Sequence, residues 1–208
     1  MSNIRIFVSH RIDIDSETVD TPVYFPVRCG AVYDEEGNSE IQGDDTGDNI
    51  SKLRMSFCEF TVQYWAWKNV DADYYGLCHY RRYLSFSDKR YKNTVFNMVR
   101  ELKLTPHEKK KYHLDDTKKI EKTVKQYDMI IPVVAKASEM SYNRAEVKTL
   151  REMWESYNGV YFEQGIIDKM FSLIKEYSPE YYNSACEYFS GKYHRAFNCY
   201  IMKKELFV

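Results

Sequence analysis

The sequence predicts an α/β domain whose central sheet is largely parallel. Four segments rich in β-branched and aromatic residues have the pattern of buried strands. Stretches with apolar residues at every third or fourth position lie between them, and this spacing predicts helices. Strands that alternate with helices favour a parallel sheet covered by helices. The predicted strands are residues 4–10, 74–78, 127–134 and 196–202.

The first predicted helix covers residues 50–68. Its apolar residues recur at spacings of three and four, which predicts a single stripe that faces the core. Asp48 or Asn49 is the expected N-cap, and Asn69 is the expected end of the helix. The stripe consists of Ile50, Leu53, Phe57, Phe60, Tyr64 and Trp67.

The remaining sequence is consistent with a single domain, residues 1–208, that carries a helical insertion. The Lys-rich segment 87–125 is the predicted insertion, in two helical pieces divided near Thr105. Further helices are expected at residues 144–157 and 162–177, and Pro179 is expected to open another one.

The composition argues against several classes of function and indicates where in the cell the protein acts. A net charge of −1 argues against a nucleic-acid partner, which would favour a basic surface. The five cysteines show no paired spacing, so we expect reduced thiols and a cytoplasmic protein. The first ten residues are too polar for a signal peptide, and no apolar run approaches the roughly 18 residues of a membrane span. Peripheral association with the inner face of the cytoplasmic membrane stays open. The 19 tyrosines suit half-buried walls and sugar-binding clefts.

A polar cluster follows the predicted strand 74–78. His79, Arg81 and Arg82 would lie at the carboxyl end of that strand, where open α/β sheets bind ligands. Guanidinium groups match phosphate oxygens bidentately, so a diphosphate is the expected anion. Alternation along the chain would send the two arginines to opposite sides. The alternative is that both arginines form structural ion pairs.

A second cluster is the turn before the predicted helix 50–68. Helix N-termini favour anionic or hydroxyl-rich ligands, but aspartates repel phosphate. Asp45 and Asp48 are therefore expected to bind sugar or ribose hydroxyls. A capping turn without a ligand is the alternative reading.

Two further patterns are less specific. Asp71 and Asp73 form a D-x-D sequence typical of metal sites in sugar transferases, but they precede the strand and would lie at the opposite edge of the sheet. No metal ligand is therefore predicted, because the sequence has no well-placed D-x-D for Mn²⁺ or Mg²⁺. The arginines with His79 would neutralise a diphosphate instead. His194 and Arg195 precede the last predicted strand, in which Asn198 could bind a sugar hydroxyl.

Together these motifs resemble one known family. The runs DDTGDNIS (residues 44–51), CEFTVQYWAWKN (58–69), GLCHYRRY (76–83) and FNCYIMKKELF (197–207) occur in this order. They are similar to the motifs of the family called domain of unknown function 4422, which occurs in capsular and exopolysaccharide gene clusters. Leu84 stands where the family usually has Phe, residues 138–164 match only loosely, and relatives usually continue past the position of Val208 into an aromatic helix.

The resemblance implies a bacterial glycosyltransferase with a GT-A-like fold. The implied donor is a nucleotide-diphosphate sugar, with a UDP-sugar the first to consider, and the implied acceptor is a saccharide or lipid-linked saccharide. Transfer of galactose or galactofuranose is associated with some relatives. The matching positions give the candidate site residues Asp45, Asp48, Asn49, Glu59, Trp65, Lys68, His79, Arg81, Arg82 and Asn198.

Glu59 lies off the apolar stripe and is a candidate base for the acceptor hydroxyl, with Asp45 and Asp48 as competitors. A salt bridge between Glu59 and Lys52 or a neighbouring arginine is the structural alternative. Two other functions stay open. One is a catalytically silent nucleotide-sugar or polysaccharide-binding protein. The other is a nucleotidyltransferase, for which the glycine-rich loop after the first strand is missing.

Overall fold

A computed structural model describes residues 3–35, 37, 40–91, 94 and 98–208. The elements in chain order are β1 (Ile4–Arg11), β2 (Tyr24–Cys29), β3 (Gln42–Gly43), α1 (Arg54–Phe57), α2 (Phe60–Asn69), β4 (Tyr74–His79), α3 (Pro106–Lys111), α4 (Thr117–Val124), β5 (Met129–Ile130), β6 (Ala135–Lys136), α5 (Ala137–Met140), α6 (Leu150–Glu155), α7 (Ile166–Tyr177), α8 (Tyr182–Ser190), β7 (Tyr193–His194), β8 (Tyr200–Lys203) and α9 (Lys204–Phe207). Within these residues no helix combines the length and the apolar character needed to cross a bilayer.

The chain forms two compact units. The first comprises the described parts of Met1–Arg90, Glu101–Pro132 and Phe197–Val208, and the second comprises those of Tyr91–Arg100 and Val133–Ala196. The predicted insertion at 87–125 does not coincide with either unit, because its helices α3 and α4 belong to the first.

A six-stranded sheet in the order β3-β2-β1-β4-β8-β5 forms the first unit. The first four strands of that order are parallel, and β8 is antiparallel to both of its neighbours. The predicted α/β class with a mostly parallel sheet is therefore confirmed. The chain goes from β1 to β2 and β3 on one side of β1, then returns as β4 on the other side. The carboxyl ends of β1 and β4 thus form the topological switch point of the sheet.

Helix α2 packs on one face of this sheet. Val62, Trp65 and Ala66 of α2 are at most 5% exposed and lie against Phe7 and Tyr75 of the central strands. Both faces of β1 are buried, which is why residues 6–8 form a continuous apolar run, followed by the buried polar residues Ser9 and His10.

The predicted single helix over 50–68 is wrong. A 3₁₀ turn (Ser51–Leu53), α1 and α2 replace it, with a break at Cys58, whose φ is +46°. The predicted apolar stripe also faces outward: Leu53, Phe57, Phe60 and Trp67 are 41–47% exposed.

The other helix predictions and two of the strand predictions need smaller corrections. The helix expected before Thr105 is absent from the described residues of 87–105, and Thr105 instead precedes α3. The predicted strand 127–134 shortens to β5, and the closing strand shifts to β8. The helix predicted at 144–157 reduces to α6, and the one at 162–177 corresponds to α7.

The second unit combines a two-stranded antiparallel sheet, β6 with β7, and the helices α5 to α8. Thr149 caps α6 through a capping box with Glu152. Leu150 and Met153 of α6 are at most 1% exposed and form part of the core of this unit.

Candidate functional site

The carboxyl ends of β1 and β4 carry the candidate site. Ser9 of β1 is aligned with His79 of β4, so the residues that follow both strands emerge at one edge of the sheet. We refer to the last residues of β1 and β4 and the residues that follow them, together with Glu59 and Asn198, as the carboxyl-edge cluster. Because this edge is the topological switch point, ligands of an α/β sheet are expected here.

A tight turn follows β4. The His79 N–H donates to the Arg82 carbonyl at 3.2 Å, and the Arg82 N–H donates to the His79 carbonyl at 2.8 Å. The guanidinium of Arg81 lies 5.0 Å from the centre of the Tyr80 ring, and that of Arg82 lies 4.6 Å from the centre of the Phe197 ring. Among the described residues neither arginine pairs with a carboxylate, so the reading of both as structural ion pairs is not supported.

His79 is half-buried between these groups. Its Nδ1 accepts a hydrogen bond from the Arg81 N–H at 3.3 Å, which places the proton of the neutral ring on Nε2. Burial, the largest cause, and the Arg82 cation together lower the pKa of His79 to about 4, although the Glu59 charge acts in the opposite direction. The ring is therefore neutral at pH 7. The neutral ring adds no positive charge for the diphosphate that the sequence analysis assigned to it, but its Nε2–H can donate a hydrogen bond.

The pH titration of His79 tests this environment. Since the folded-state pKa is about 4 against an ordinary value of 6.5, the unfolded state binds more protons in this range. Protonation then favours unfolding, so this histidine makes stability fall as the pH drops from 6.5 toward 4. We expect a histidine ring resonance, assigned by its loss in His79→Gln, to titrate near pH 4 in NMR spectra. Arg82→Met should raise that midpoint, and a wild-type midpoint near 6.5 would contradict the assigned environment.

Glu59 and Asn198 complete the cluster although 139 positions separate them. The Asn198 Nδ2 donates to the Glu59 Oε1 at 3.1 Å. Glu59 immediately precedes α2 and is half-buried, and Asn198 lies just before β8. In the described part of the chain the alternative ion pair with Lys52 does not form. The structure thus brings together Glu59, His79, Arg82 and Asn198, as carboxylate, neutral imidazole, cation and amide.

Two arginines at the same edge escaped the sequence reasoning. Arg11, the last residue of β1, forms an ion pair with Asp13 and interacts with Tyr80. Arg54 lies 3.5 Å from Asp13, through its Nη2, and packs over Gly30. The Arg11 hydrogen bonds lower the pKa of Asp13 to about 2. The position of Arg11 directly after the predicted strand 4–10 was the available signal.

The fully buried carboxylate of Asp44 links three segments near this edge of the sheet through hydrogen bonds. Its Oδ2 accepts hydrogen bonds from the Gly30 N–H at 2.9 Å and the Thr61 hydroxyl at 2.5 Å. Its Oδ1 accepts from the Ala31 N–H at 2.9 Å and the Ser51 hydroxyl at 2.5 Å. These four donors compensate for the desolvation of the charge. Sequence reasoning missed Asp44, since its partners come from three separate segments of the chain.

Gly30 permits this arrangement. Its φ is +71°, and a Cβ there would lie 2.1 Å from Cδ of Arg54. Only glycine provides both the left-handed backbone and the space that Arg54 occupies.

The turn of residues 45–49 lies along α2 and does not cap it. Asn49 donates through Nδ2 to the carbonyls of Asp45 and Gly47, both at 3.0 Å, and its Oδ1 accepts from the Ser51 N–H at 3.2 Å. Asn49 therefore bonds the start of the 3₁₀ turn, and neither Asn49 nor Asp48 caps α2. Asp45 is exposed, and its carboxylate lies close over Gly43 at the end of β3.

Asp48 lies away from the carboxyl-edge cluster. Its Oδ1 accepts from the Tyr64 hydroxyl at 3.1 Å, and its N–H donates to Asn69, the last residue of α2, at 3.1 Å. Glu59 immediately precedes the ten residues of α2, a length of about 15 Å. Asp48 and Glu59 are therefore at opposite ends of this helix, and they do not meet at one reacting atom.

Trp65 and Lys68 are also separated from the cluster. Trp65 is 5% exposed in the core, and its Nε1 donates to the Thr46 hydroxyl at 3.0 Å, so its ring faces are not available to a ligand. Lys68 lies 3.4 Å from the centre of the Trp67 ring on α2. His194 belongs to the second unit, where its ring packs edge-on against Trp154.

The D-x-D sequence lies where it was expected. Asp71 accepts from Lys204 at 2.5 Å, and Asp73 accepts from the Asn3 N–H at 2.7 Å, both near the start of β4. In the part of the chain that the structure describes, no three His, Cys, Asp or Glu side chains form a group able to hold a metal ion.

The first unit is thus an α/β domain with a mostly parallel sheet, whose switch point carries Arg81 and Arg82. The chain belongs to the family described as a domain of unknown function, DUF4422, whose model matches residues 5–208, so the family indicated by the motifs is confirmed. No curated protein matches the chain. A solved structure is similar: the apo structure of WbbM, described as a bifunctional glycosyltransferase, has a TM-score of 0.83, 26% identity and coverage of 99% of this chain. The chain spans 35% of the length of that protein.

Proposed function

We propose that this chain is a glycosyltransferase domain of the GT-A type. It would transfer a hexose, with galactose or galactofuranose the first candidates, from a UDP-sugar or another nucleotide-diphosphate sugar. The acceptor would be a growing capsular polysaccharide, exopolysaccharide or lipopolysaccharide at the inner face of the cytoplasmic membrane. The similarity to WbbM supports the class. The observation that carries the proposal is the pair of arginines at the switch point, neither of them paired with a carboxylate among the described residues.

The arginines would bind the donor diphosphate. When the bond between the sugar C1 and the β-phosphate oxygen breaks, negative charge develops on the leaving diphosphate. Arg81 and Arg82 would stabilise that charge, and the neutral His79 would donate from Nε2 to a donor oxygen. In this proposal the two arginines take the role of neutralising the diphosphate that a metal ion has in many sugar transferases.

Glu59 would activate the acceptor. Its carboxylate would take the proton of the acceptor hydroxyl while that oxygen forms the new bond to C1 and the diphosphate leaves. Asn198 holds the Glu59 Oε1 at 3.1 Å and would keep the carboxylate oriented. Asp48 is less suited because it is at the other end of α2.

Donor binding tests the proposal. In a thermal-shift panel of UDP, GDP, CDP, TDP and their sugars, one nucleotide series should stabilise the wild type. A ligand at a hundredfold over its Kd adds about 2.7 kcal/mol to the free energy of unfolding. Arg81→Ala/Arg82→Ala should remove this stabilisation, because the diphosphate loses both cations. The exposed neighbours Lys89 and Arg90 give the matched control pair, Lys89→Ala/Arg90→Ala, which should respond like the wild type.

Release of nucleoside diphosphate in the presence of acceptor then separates catalysis from binding. This release assay is run once with EDTA and once with manganese. Equal turnover under the two conditions supports charge neutralisation by the arginines. Donor binding without turnover would support the silent binding protein instead. If no nucleotide stabilises the wild type, the assignment of a diphosphate to the arginines is wrong.

A further inference from the structure

The second unit contains a cleft of about 590 Å³ that the proposed reaction does not use. One wall is the face of α7 that carries Asp168, Phe171, Ser172 and Lys175, at helical spacings of three and four. The facing wall is α8, and the start of α6 closes one end. This volume lies within the range of small-molecule and saccharide sites.

The base of the cleft is aromatic. The Phe171 ring lies edge-on to Phe189 at 5.3 Å and to Tyr182 at 6.2 Å between ring centres. Phe171 is 8% exposed, whereas Tyr182 and Phe189 are half-buried and line the open space. Such a surface suits the apolar C–H face of a sugar ring better than a phosphate.

The rim of the cleft is polar and electrically balanced. Arg151 forms ion pairs with Glu155 at 2.7 Å and with Asp168 at 2.5 Å, so donor and acceptor groups stand side by side. Lys175 lies 5.6 Å from the centre of the Tyr182 ring, and no described carboxylate pairs with it. Two cations and one carboxylate line the cleft, and Glu155, which pairs with Arg151 from outside the lining, balances the remaining positive charge. A hydroxyl-rich neutral ligand therefore fits this rim better than an acidic one.

We propose that this cleft binds a neutral saccharide, and that its ligand is the glycan chain of the acceptor. The identification of the ligand as the acceptor rests on the proposed function, whereas saccharide binding by the cleft does not. Vicinal hydroxyls would bridge Arg151 and Asp168, and Lys175 would donate to a further oxygen. The two ligand chemistries are then divided between the units: the anionic donor binds the arginines of the first unit, and the neutral glycan binds the second.

The test measures saccharide binding with no donor present. Ligand-observed NMR with neutral galacto-oligosaccharides and with an acidic oligosaccharide gives the Kd for each protein. Ser172→Trp fills the open space from an exposed position, and Ser172→Ala is its control. Lys175→Glu reverses a charge in the cleft, and Lys169→Glu makes the same change on α7 outside it.

Ser172→Trp and Lys175→Glu should each raise the Kd for the neutral saccharide at least about tenfold, equivalent to about 1.4 kcal/mol. The two controls should bind like the wild type, and all four variants should keep the thermal shift given by the donor. Equal binding by cleft variants and controls would overturn the site, and a preference for the acidic oligosaccharide would overturn the neutral class. A protein that binds the glycan but shows no donor shift would contradict the transferase and leave this site supported.

Discussion

Asp44→Ala is expected to lower the free energy of unfolding by at least about 3 kcal/mol. The substitution leaves two backbone N–H groups and two hydroxyls without their acceptor in a site that is 0% exposed. Each unsatisfied buried polar group costs about 1–3 kcal/mol, reduced where a hydroxyl can rotate to another partner. A loss of this size is a large fraction of the stability of a domain.

Urea denaturation followed by circular dichroism gives the measurement. Asp45→Ala, one residue along and exposed, should change stability by no more than about 0.5 kcal/mol. If Asp44→Ala does not fold, Asp44→Asn and Thr61→Val supply the comparison. The carboxamide presents its NH₂ to one backbone N–H, and the valine leaves Asp44 with one donor fewer. A loss below about 1 kcal/mol in all three variants would show that the buried network is not needed for stability.

The same network connects stability with the site. Asp44 holds Thr61 in the first turn of α2, and Glu59 stands two residues before Thr61. It also holds the turn after β2, on which Arg54 packs. A carboxylate outside the site thereby fixes the segments that carry Glu59 and Arg54.

Strands of this sheet differed in how well the sequence predicted them. Both faces of β1 and β4 are buried over most of their length, so each contains a run of adjacent apolar residues, 6–8 in β1 and 74–78 in β4, that made its position predictable. Strand β3 has only two residues, Gln42 and Gly43, and pairs with β2 alone, so no periodicity reveals it. Strand β2 was not predicted, although its residues overlap a short apolar stretch at 23–27.

Helix α2 shows why periodicity alone misled. The segment has two apolar faces, and the larger one was predicted to be buried. The sheet instead packs against Thr61, Val62, Trp65 and Ala66, whose small members allow close approach to the strands. Spacing identifies a face, but the partner surface decides which face is covered.

The sequence located the residues of the candidate site that follow a predicted strand, but not those that only the tertiary structure brings to this edge. Arg81 and Arg82 follow a recognisable strand, so the switch-point rule located them from the sequence. The Glu59–Asn198 hydrogen bond joins residues 139 positions apart, and only the antiparallel pairing of β8 with β4 brings Asn198 to that edge. Asp48 shares a motif with Asp44, yet the turn carries it to the end of α2.

Glu59→Gln is expected to lower kcat by about 10²–10⁴ while leaving the donor thermal shift intact. The amide keeps the size of the side chain and can still accept from Asn198, but it cannot take the proton of the acceptor hydroxyl. Nucleoside diphosphate release at saturating donor and acceptor gives kcat. Asn198→Ala should reduce kcat by less, because the carboxylate remains and only its orientation loosens.

Asp48→Asn is the matched control, since it neutralises a carboxylate of the same motif at the far end of α2. Its kcat should stay close to that of the wild type. Asp45→Asn tests the remaining competitor, whose carboxylate lies over Gly43 at the end of β3. If Asp45→Asn or Asp48→Asn abolishes turnover while Glu59→Gln retains it, the base belongs to the turn of residues 45–49. Loss of turnover in Glu59→Gln alone, with donor binding preserved, identifies Glu59 as the residue that activates the acceptor.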